Sequence, residues 1–177
     1  MYGVIAVFDD ETDKAICEVW QELKEHSISF YAQEVINRIP HITLASYEYL
    51  EEDSFIKRME EVYSAEKSVE IHFNALGSFF KSGALYLSPV FTKGLNDLHS
   101  SHHHSFTEWD AFSSSLYSPD KWIPHCTLAN RLSLEKLSEA YAYCLGRFET
   151  ISGKITGIAL VKLNGNTAPV IHRVQLK

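Results

Sequence analysis

The chain has 177 residues, 45% hydrophobic and 22% charged, which is the composition of a folded globular protein too short for several large domains. Its 16 lysines and arginines are outnumbered by 23 aspartates and glutamates, and the formal net charge of −7 argues against sequence-independent binding of long nucleic acids. No apolar run approaches the ~18–20 residues of a membrane span, and no basic segment precedes a hydrophobic stretch at the start, so we expect a cytoplasmic protein.

The first half of the chain predicts the element order β-α-β-α-β-β. Segments rich in β-branched and aromatic residues alternate with segments whose apolar residues recur at helical spacing. Acidic residues from Asp9 onward supply capping groups for the first helix, and Pro40 precedes the second strand. The predicted strands are residues 2–8, 41–45, 69–73 and 84–87, the helices include residues 15–23 and 55–62, and residues 77–83 form a turn.

The second half predicts the order α-β-α-β-β. A helix over about residues 89–107 is followed by a serine-rich connection to Pro119 and a strand at 125–130. Ser133 is the expected N-cap of the next helix. Two strands, 151–163 and 170–175, are then joined by Asn164-Gly165-Asn166, which is a strong hairpin signal.

A seven-residue segment occurs twice, with its two histidines 125 − 41 = 84 residues apart. Residues 39–45 read IPHITLA and residues 123–129 read IPHCTLA, so six of seven positions are identical. Each copy is followed by a predicted helix and two predicted strands. The repeat therefore predicts an α+β fold of two pseudo-twofold-related lobes, with antiparallel sheets and with helices on the outside. We expect a single bilobal domain over residues 1–177, with repeats of about 1–88 and 89–177 and with room for strands to cross between the lobes.

Each copy places a histidine and a threonine on the same face of a strand. Side chains alternate between faces, so His41 lies beside Thr43, and His125 beside Thr127, while the residues between them point into a core. In-line displacement at phosphorus needs proton transfer on two opposite sides, and histidine is the side chain that populates both protonation states near neutral pH. A single such motif is explained by packing at a strand end, whereas two copies with matching flanks favour chemistry.

The two motifs resemble the paired His-x-Thr motifs of the two-histidine (2H) phosphoesterases, with the closest likeness to the bacterial 2′-5′ RNA ligase-like branch, the RNA 2′,3′-cyclic phosphodiesterases. The likeness covers the whole chain in element order. It implies a bilobal fold with a central cleft and metal-independent cleavage or ligation of a cyclic or 2′-5′ phosphodiester of a nucleotide or RNA end, without a cofactor. It also implies that His41, Thr43, His125 and Thr127 are the catalytic residues, as general acid, general base and phosphate binders.

Substrate contacts are predicted at aromatic residues near turns and at one basic residue. Aromatic rings stack on nucleobases, and Phe79, Phe80, Tyr86 and Tyr117 flank turns or strands that reach toward the motifs. RNA-processing members of the family commonly have an arginine shortly after the second motif, and Arg131 stands near that place, displaced by one residue. The expected partner is a nucleotide or an RNA end with a cyclic phosphate, bound by a monomer.

Two other functions remain open at this point. One is a nucleotide- or RNA-binding module that keeps the cleft without turnover, although the intact histidines and threonines argue against it. The other is a metal sensor built on the densest histidine cluster. No acidic or cysteine ligand completes that cluster nearby, so we expect a solvated helix end and no metal there. The cluster consists of His99, His102, His103 and His104.

Overall fold

Seven strands and five α-helices form the structure, a computed structural model that describes residues 1–177. Helices and antiparallel strands are mixed along the chain, which confirms the predicted α+β class. The elements are β1 (Tyr2–Phe8), α1 (Asp10–Glu25), α2 (Tyr31–Glu34), β2 (Ile42–Tyr47), α3 (Glu52–Tyr63), β3 (Val69–Ser78), β4 (Leu85–Pro89), α4 (Lys93–Ser105), β5 (Cys126–Ala129), α5 (Leu134–Arg147), β6 (Ile151–Lys162) and β7 (Val170–Gln175), with 3₁₀ helices at Thr107–Phe112 and Ser115–Tyr117.

Side-chain caps set where three of the helices begin. Asp9 caps α1, Thr92 caps α4 and Ser133 caps α5, each with an oxygen that accepts a hydrogen bond from a backbone N–H three residues later. The cap predicted at Ser133 is therefore confirmed. The helix predicted over 89–107 begins only at Lys93, because Pro89 still pairs in β4 and Thr92 supplies the cap.

All strand pairs are antiparallel, and they form one sheet in the order β2-β1-β6-β3-β4-β5, with β7 also paired to β6. The long strand β6 lies in the middle of this order and pairs with a different strand along each half of its length. Its residues 155–162 pair with β1, and its residues 151–155 pair with β3. One arm of the sheet thus contains β2, β1, the end of β6 and β7, and the other contains β5, β4, β3 and the start of β6.

The elements repeat with the spacing of the two motifs. The first residues of β2 and β5 are 126 − 42 = 84 residues apart, and the same spacing separates the starts of α1 and α4, of α3 and α5, and of β3 and β6 to within two residues. β3 and β6 pair with each other, and Ile71 of β3 lies opposite Gly153 of β6. The pairing of these two related strands therefore lies at the centre of the sheet. The two motif strands, β2 and β5, consequently occupy equivalent edges of the two arms.

The main core contains 37 buried residues and lies between the sheet and its helices. Apolar residues at helical spacing in α1, among them Ile16, Val19 and Leu23, are fully buried, as their periodicity predicts. No helix has both the length and the apolar composition that crossing a membrane requires.

Candidate active site

The two motif histidines are held in the same way. His41 and His125 stand immediately before β2 and β5, and each follows an Ile-Pro pair. In both rings Nδ1 lies 2.7 Å from the carbonyl oxygen of the isoleucine two residues earlier. A carbonyl only accepts, so Nδ1 carries the hydrogen and donates it. The other nitrogen, Nε2, is left free to exchange a proton with a ligand.

A β-bulge follows each motif threonine. In the β1–β2 register Thr43 is opposite Ile5 and Ala45 is opposite Val4, so Leu44 has no partner. The β4–β5 register skips Leu128 in the same way. Bulges bend a strand and redirect its side chains, and they are frequent next to active sites. Both leucines are fully buried, which anchors the bulges in the core beneath the motif faces.

The two motifs touch each other although they lie at opposite ends of the sheet order. Cys126, the residue after His125, is fully buried against the backbone of His41. Burial raises the pKa of the Cys126 thiol to about 12, and a hydrogen bond with the His41 backbone opposes that rise. The motif ends of β2 and β5 therefore lie close together, and the charge of His125 acts on the His41 ring.

Two tryptophans cap the open edges of the motif strands. The indole Nε1 of Trp122 donates to the Thr43 carbonyl over 2.9 Å, and that of Trp20 donates to the Thr127 carbonyl over 3.1 Å. An edge strand leaves such carbonyls without a partner in the sheet, and the indoles supply one. Trp20 precedes the first motif but caps the second, and Trp122 precedes the second but caps the first. Each half of the chain thus fixes the motif of the other half.

His41 lies in the less hydrated of the two environments. Burial lowers its pKa to about 4. The hydrogen bond to the Ile39 carbonyl opposes this shift, whereas the charges of Arg38 and His125 lower the pKa further. The guanidinium of Arg38 is placed by Tyr31, since its carbon lies 3.7 Å from the centre of that ring.

His125 is surrounded by aromatic rings instead. The ring centres of Phe79 and Tyr86 are 4.8 Å and 5.2 Å from that of His125. Burial lowers the pKa of His125, and the hydrogen bond to the Ile123 carbonyl opposes the shift. Near neutral pH both imidazoles therefore favour the neutral form.

A pocket lies on each side of the motif pair, and Tyr117 lines both. The one beside His125 has a volume of about 370 Å³ and a mainly apolar lining that includes Phe79, Trp122 and Lys121. The one beside His41 has a volume of about 190 Å³ and is lined by Thr43 and Arg38 among others. These two pockets, which share Tyr117, together form the cleft. It has a larger aromatic flank beside His125 and a smaller flank with an arginine beside His41.

The structure brings some of the predicted contact residues to this cleft and not others. Phe79 and Tyr117 line the pockets, and Tyr86 packs under His125. Phe80 is 99% exposed and lines a separate groove, and Arg131 is exposed and lines neither pocket.

The site predicted from the sequence leaves out several residues that do line the cleft or support it. Arg38 and Lys121 are loop cations, which are usually only solvated, and their positions close before the two motifs were the one signal available. The tryptophans gave no signal, because each acts on the motif that is remote in sequence. These residues are Trp20, Tyr31, Arg38, Lys121 and Trp122.

The expectation of a solvated helix end at the histidine cluster is wrong for two of its members. His99 and His102 on α4 are only 1% and 0% exposed. The ring nitrogens of His102 lie 2.9 Å from the hydroxyl of Tyr47 and 2.6 Å from that of Tyr63, so one nitrogen donates and the other accepts. These partners are remote in sequence, which is why the local pattern did not predict the burial.

His99 connects the same cluster to the cleft. Its ring stacks on Trp122 at 3.7 Å between centres, and its Nε2 donates to the Tyr117 carbonyl over 2.8 Å. The chain contains no group of three or more His, Cys, Asp or Glu side chains placed to hold a metal. The stacking on Trp122 places the His99 ring behind the wall of the pocket beside His125.

Comparisons with known proteins identify the family and the fold. Residues 12–167 match the family model of the 2′-5′ RNA ligase superfamily. The fold is similar to the crystal structure of TT0787 of Thermus thermophilus, with 15% identity, a TM-score of 0.64 and coverage of 99% of this chain and 97% of that one. It is also similar to E. coli LigT complexed with 3′-AMP, with 14% identity, a TM-score of 0.63 and the same coverage. Among curated proteins, none matches the chain.

Proposed function

The chain belongs to the 2′-5′ RNA ligase superfamily, and from that premise we propose that it is a metal-independent phosphoesterase acting on a cyclic or 2′-5′ phosphodiester at a nucleotide or RNA end. One observation carries the proposal. The charge of His125 acts on the His41 ring, and in both Ile-Pro-His-x-Thr segments the histidine Nδ1–H is tethered to a carbonyl over 2.7 Å, which supports a shared site with both Nε2 atoms available.

The reaction needs a proton acceptor and a proton donor on opposite sides of the phosphorus. In hydrolysis of a 2′,3′-cyclic phosphate, a water oxygen forms a new bond to phosphorus while the bond to one ribose oxygen breaks. One neutral motif histidine takes the proton of the water, and the other, protonated, gives its proton to the leaving ribose oxygen. The product is a phosphomonoester with a free ribose hydroxyl. Attack by a ribose hydroxyl in place of water forms a diester by the same proton transfers.

The motif threonines complete the phosphate site. Thr43 and Thr127 follow the two histidines on the exposed faces of β2 and β5, where their hydroxyls donate to non-bridging oxygens. A bound phosphate anion also favours the protonated form of a nearby imidazole, which offsets the effect of burial. One histidine can therefore enter the reaction charged and the other neutral.

A terminal or small substrate fits this cleft better than a long strand. The aromatic pocket of about 370 Å³ beside His125 suits one nucleoside. The net charge of −7 disfavours binding to many successive phosphates of a long strand. The similar fold of E. coli LigT was crystallised with 3′-AMP, a single nucleotide with a terminal phosphate. We therefore place the nucleoside on the His125 flank.

Incubation with a panel of diesters tests the proposal. The panel contains 2′,3′-cyclic nucleotides, RNA with a cyclic phosphate end, 2′-5′ dinucleotides and ADP-ribose cyclic phosphate, each with and without chelator. We expect turnover of at least one substrate in chelator and its loss in His41→Ala. Strict dependence on an added metal would overturn the mechanism. Tight nucleotide binding without any turnover would identify a non-catalytic binding module instead.

A further inference from the structure

Arg38 is half-buried and contacts the neutral Tyr31 side chain, but it has no anionic partner. Its Nε is buried and makes no hydrogen bond. None of the nine ion pairs of the chain includes it, although acidic residues outnumber basic ones by 23 to 16. A buried cationic donor without a partner is costly to the fold. The unpaired Nε and the missing anionic partner favour an anion that binds there.

The position of Arg38 in the cleft indicates which anion. It lines the same pocket as His41 and Thr43, and its charge acts on the His41 ring. Its guanidinium also lies 3.7 Å over the ring of Tyr31. Burial raises the pKa of Tyr31, and hydrogen bonds with the Thr127 and Arg38 side chains are among the effects that oppose the rise. Through Tyr31, Arg38 is therefore connected to the second motif as well.

The flank beside His125 has no equivalent group. Lys121 lines that pocket, but it is exposed and offers a flexible ammonium rather than a fixed planar fork. A guanidinium presents several N–H donors in one plane, which matches two oxygens of a phosphate. Only the His41 flank therefore presents a partly buried, preorganised cation.

Resting on the proposed function, we infer that Arg38 is a third phosphate-binding residue, which contacts non-bridging oxygens from the His41 flank and keeps His41 as the proton acceptor. A positive charge beside an imidazole disfavours its protonation. The charged groups that face His41 are Arg38 and His125, and no carboxylate pairs with either. His41 then takes the proton of the attacking water, and His125 protonates the leaving ribose oxygen.

The test compares Arg38→Met, Arg38→Lys and the control Arg173→Met, an exposed arginine of β7 that lines neither pocket. Melting curves first establish that each variant is folded. With adenosine 2′,3′-cyclic phosphate we expect Arg38→Met to lose about 10²–10³ in kcat/KM, as when an oxyanion donor is removed. Arg38→Lys should lose less, and Arg173→Met should match the wild type. Added guanidinium ion should restore part of the activity of Arg38→Met.

The pH profile of kcat/KM distinguishes the proposed electrostatic role of Arg38 from a purely structural role in packing on Tyr31. Burial and the charge of Arg38 both lower the pKa of His41, so removing that charge raises the pKa. Because activity needs neutral His41, the acidic limb of kcat/KM should move to higher pH in Arg38→Met and not in Arg173→Met. A loss of activity with an unmoved limb and without guanidinium rescue would overturn the inference.

Calorimetric binding of 3′-AMP keeps the two proposals distinguishable. If the wild type binds 3′-AMP but hydrolyses none of the panel, the proposed function fails, yet weaker binding by Arg38→Met would still support the phosphate contact. Equal binding by Arg38→Met and Arg173→Met would overturn that contact whatever the activity. A wild type that neither binds nor hydrolyses would overturn both.

Discussion

On the His41 flank the imidazole sits in a small pocket beside an arginine, and on the His125 flank it sits among the rings of Phe79 and Tyr86 beside a pocket of about 370 Å³. The two motifs themselves differ at one residue in seven and hold their histidines by the same 2.7 Å hydrogen bond. The shared residues therefore fix the tautomer and the orientation of the two imidazole rings, whereas residues outside the repeat make the two flanks unequal. Under the proposed function, a symmetric pair of proton-transfer groups becomes a proton acceptor on the His41 flank and a proton donor beside the pocket proposed for the nucleoside.

The largest effect is expected from removing either histidine. His41→Ala and His125→Ala should each lower kcat by about 10²–10⁴, since each removes one proton transfer. The double variant should cost little more, because groups that act in one step are not additive. Rates on the best substrate of the panel measure this. If the two losses multiplied in the double variant, the histidines would be acting in separate steps.

A smaller effect is expected from the two capping tryptophans. Trp20→Phe and Trp122→Phe each remove the donor to a motif carbonyl, and each should lower the free energy of unfolding by about 1–3 kcal/mol. Trp122 also lines the pocket beside His125, and Trp20 does not. Only Trp122→Phe should therefore raise KM, as measured with the same substrate after melting curves of both variants. An equal change of KM in both would show that the pocket is not where the nucleoside binds.

Much of this arrangement follows from local sequence, and the part that does not depends on remote partners. Hydrophobic periodicity and caps predict most elements, and the repeat predicts the paired motifs. The pairing of β6 with both β1 and β3 has no local signal, because a twelve-residue strand can pair along either half. The burial of His102 depends on Tyr47 and Tyr63, which are distant in the chain. The cleft role of Arg38 depends on Tyr31 and on the absence of a carboxylate, and neither can be read before the loops are placed.

The unequal flanks can also be followed by titration of the free protein. Burial lowers the pKa of His41 to about 4, and it lowers the pKa of His125 as well. NMR of the ring resonances should show His41 protonating near pH 4 in the unliganded wild type. Bound inorganic phosphate should raise both pKa values, because the anion favours the imidazolium. Protonation of His41 near the ordinary value of about 6.5 would show that its flank is hydrated.

The same shifts predict how stability depends on pH. The pKa values of His41 and His99 are lowered to about 4, and that of His102 is held well below its usual range, chiefly by burial in each case. The unfolded chain binds these protons near pH 6.5 and the folded chain does not, so stability is retained above that pH and falls as the pH drops toward 4. Urea unfolding at several pH values measures the slope. His102→Phe should flatten it, although losing the bonds to Tyr47 and Tyr63 lowers stability at neutral pH.

The smallest effect is expected from salt. If one phosphate is held between the two histidines, with Arg38 on one flank and Lys121 on the other, few counterions are released on binding. The affinity for 3′-AMP should then fall about 4- to 16-fold between 50 and 200 mM salt, which corresponds to a logarithmic slope of about −1 to −2. Lys121→Met should reduce this slope less than Arg38→Met, because the exposed ammonium is already screened by solvent. Calorimetry across the salt series gives both slopes. A slope several times steeper, or equal changes in the two variants, would mean that the flanks bind an extended chain of phosphates and that the asymmetry of the cleft does not determine the substrate.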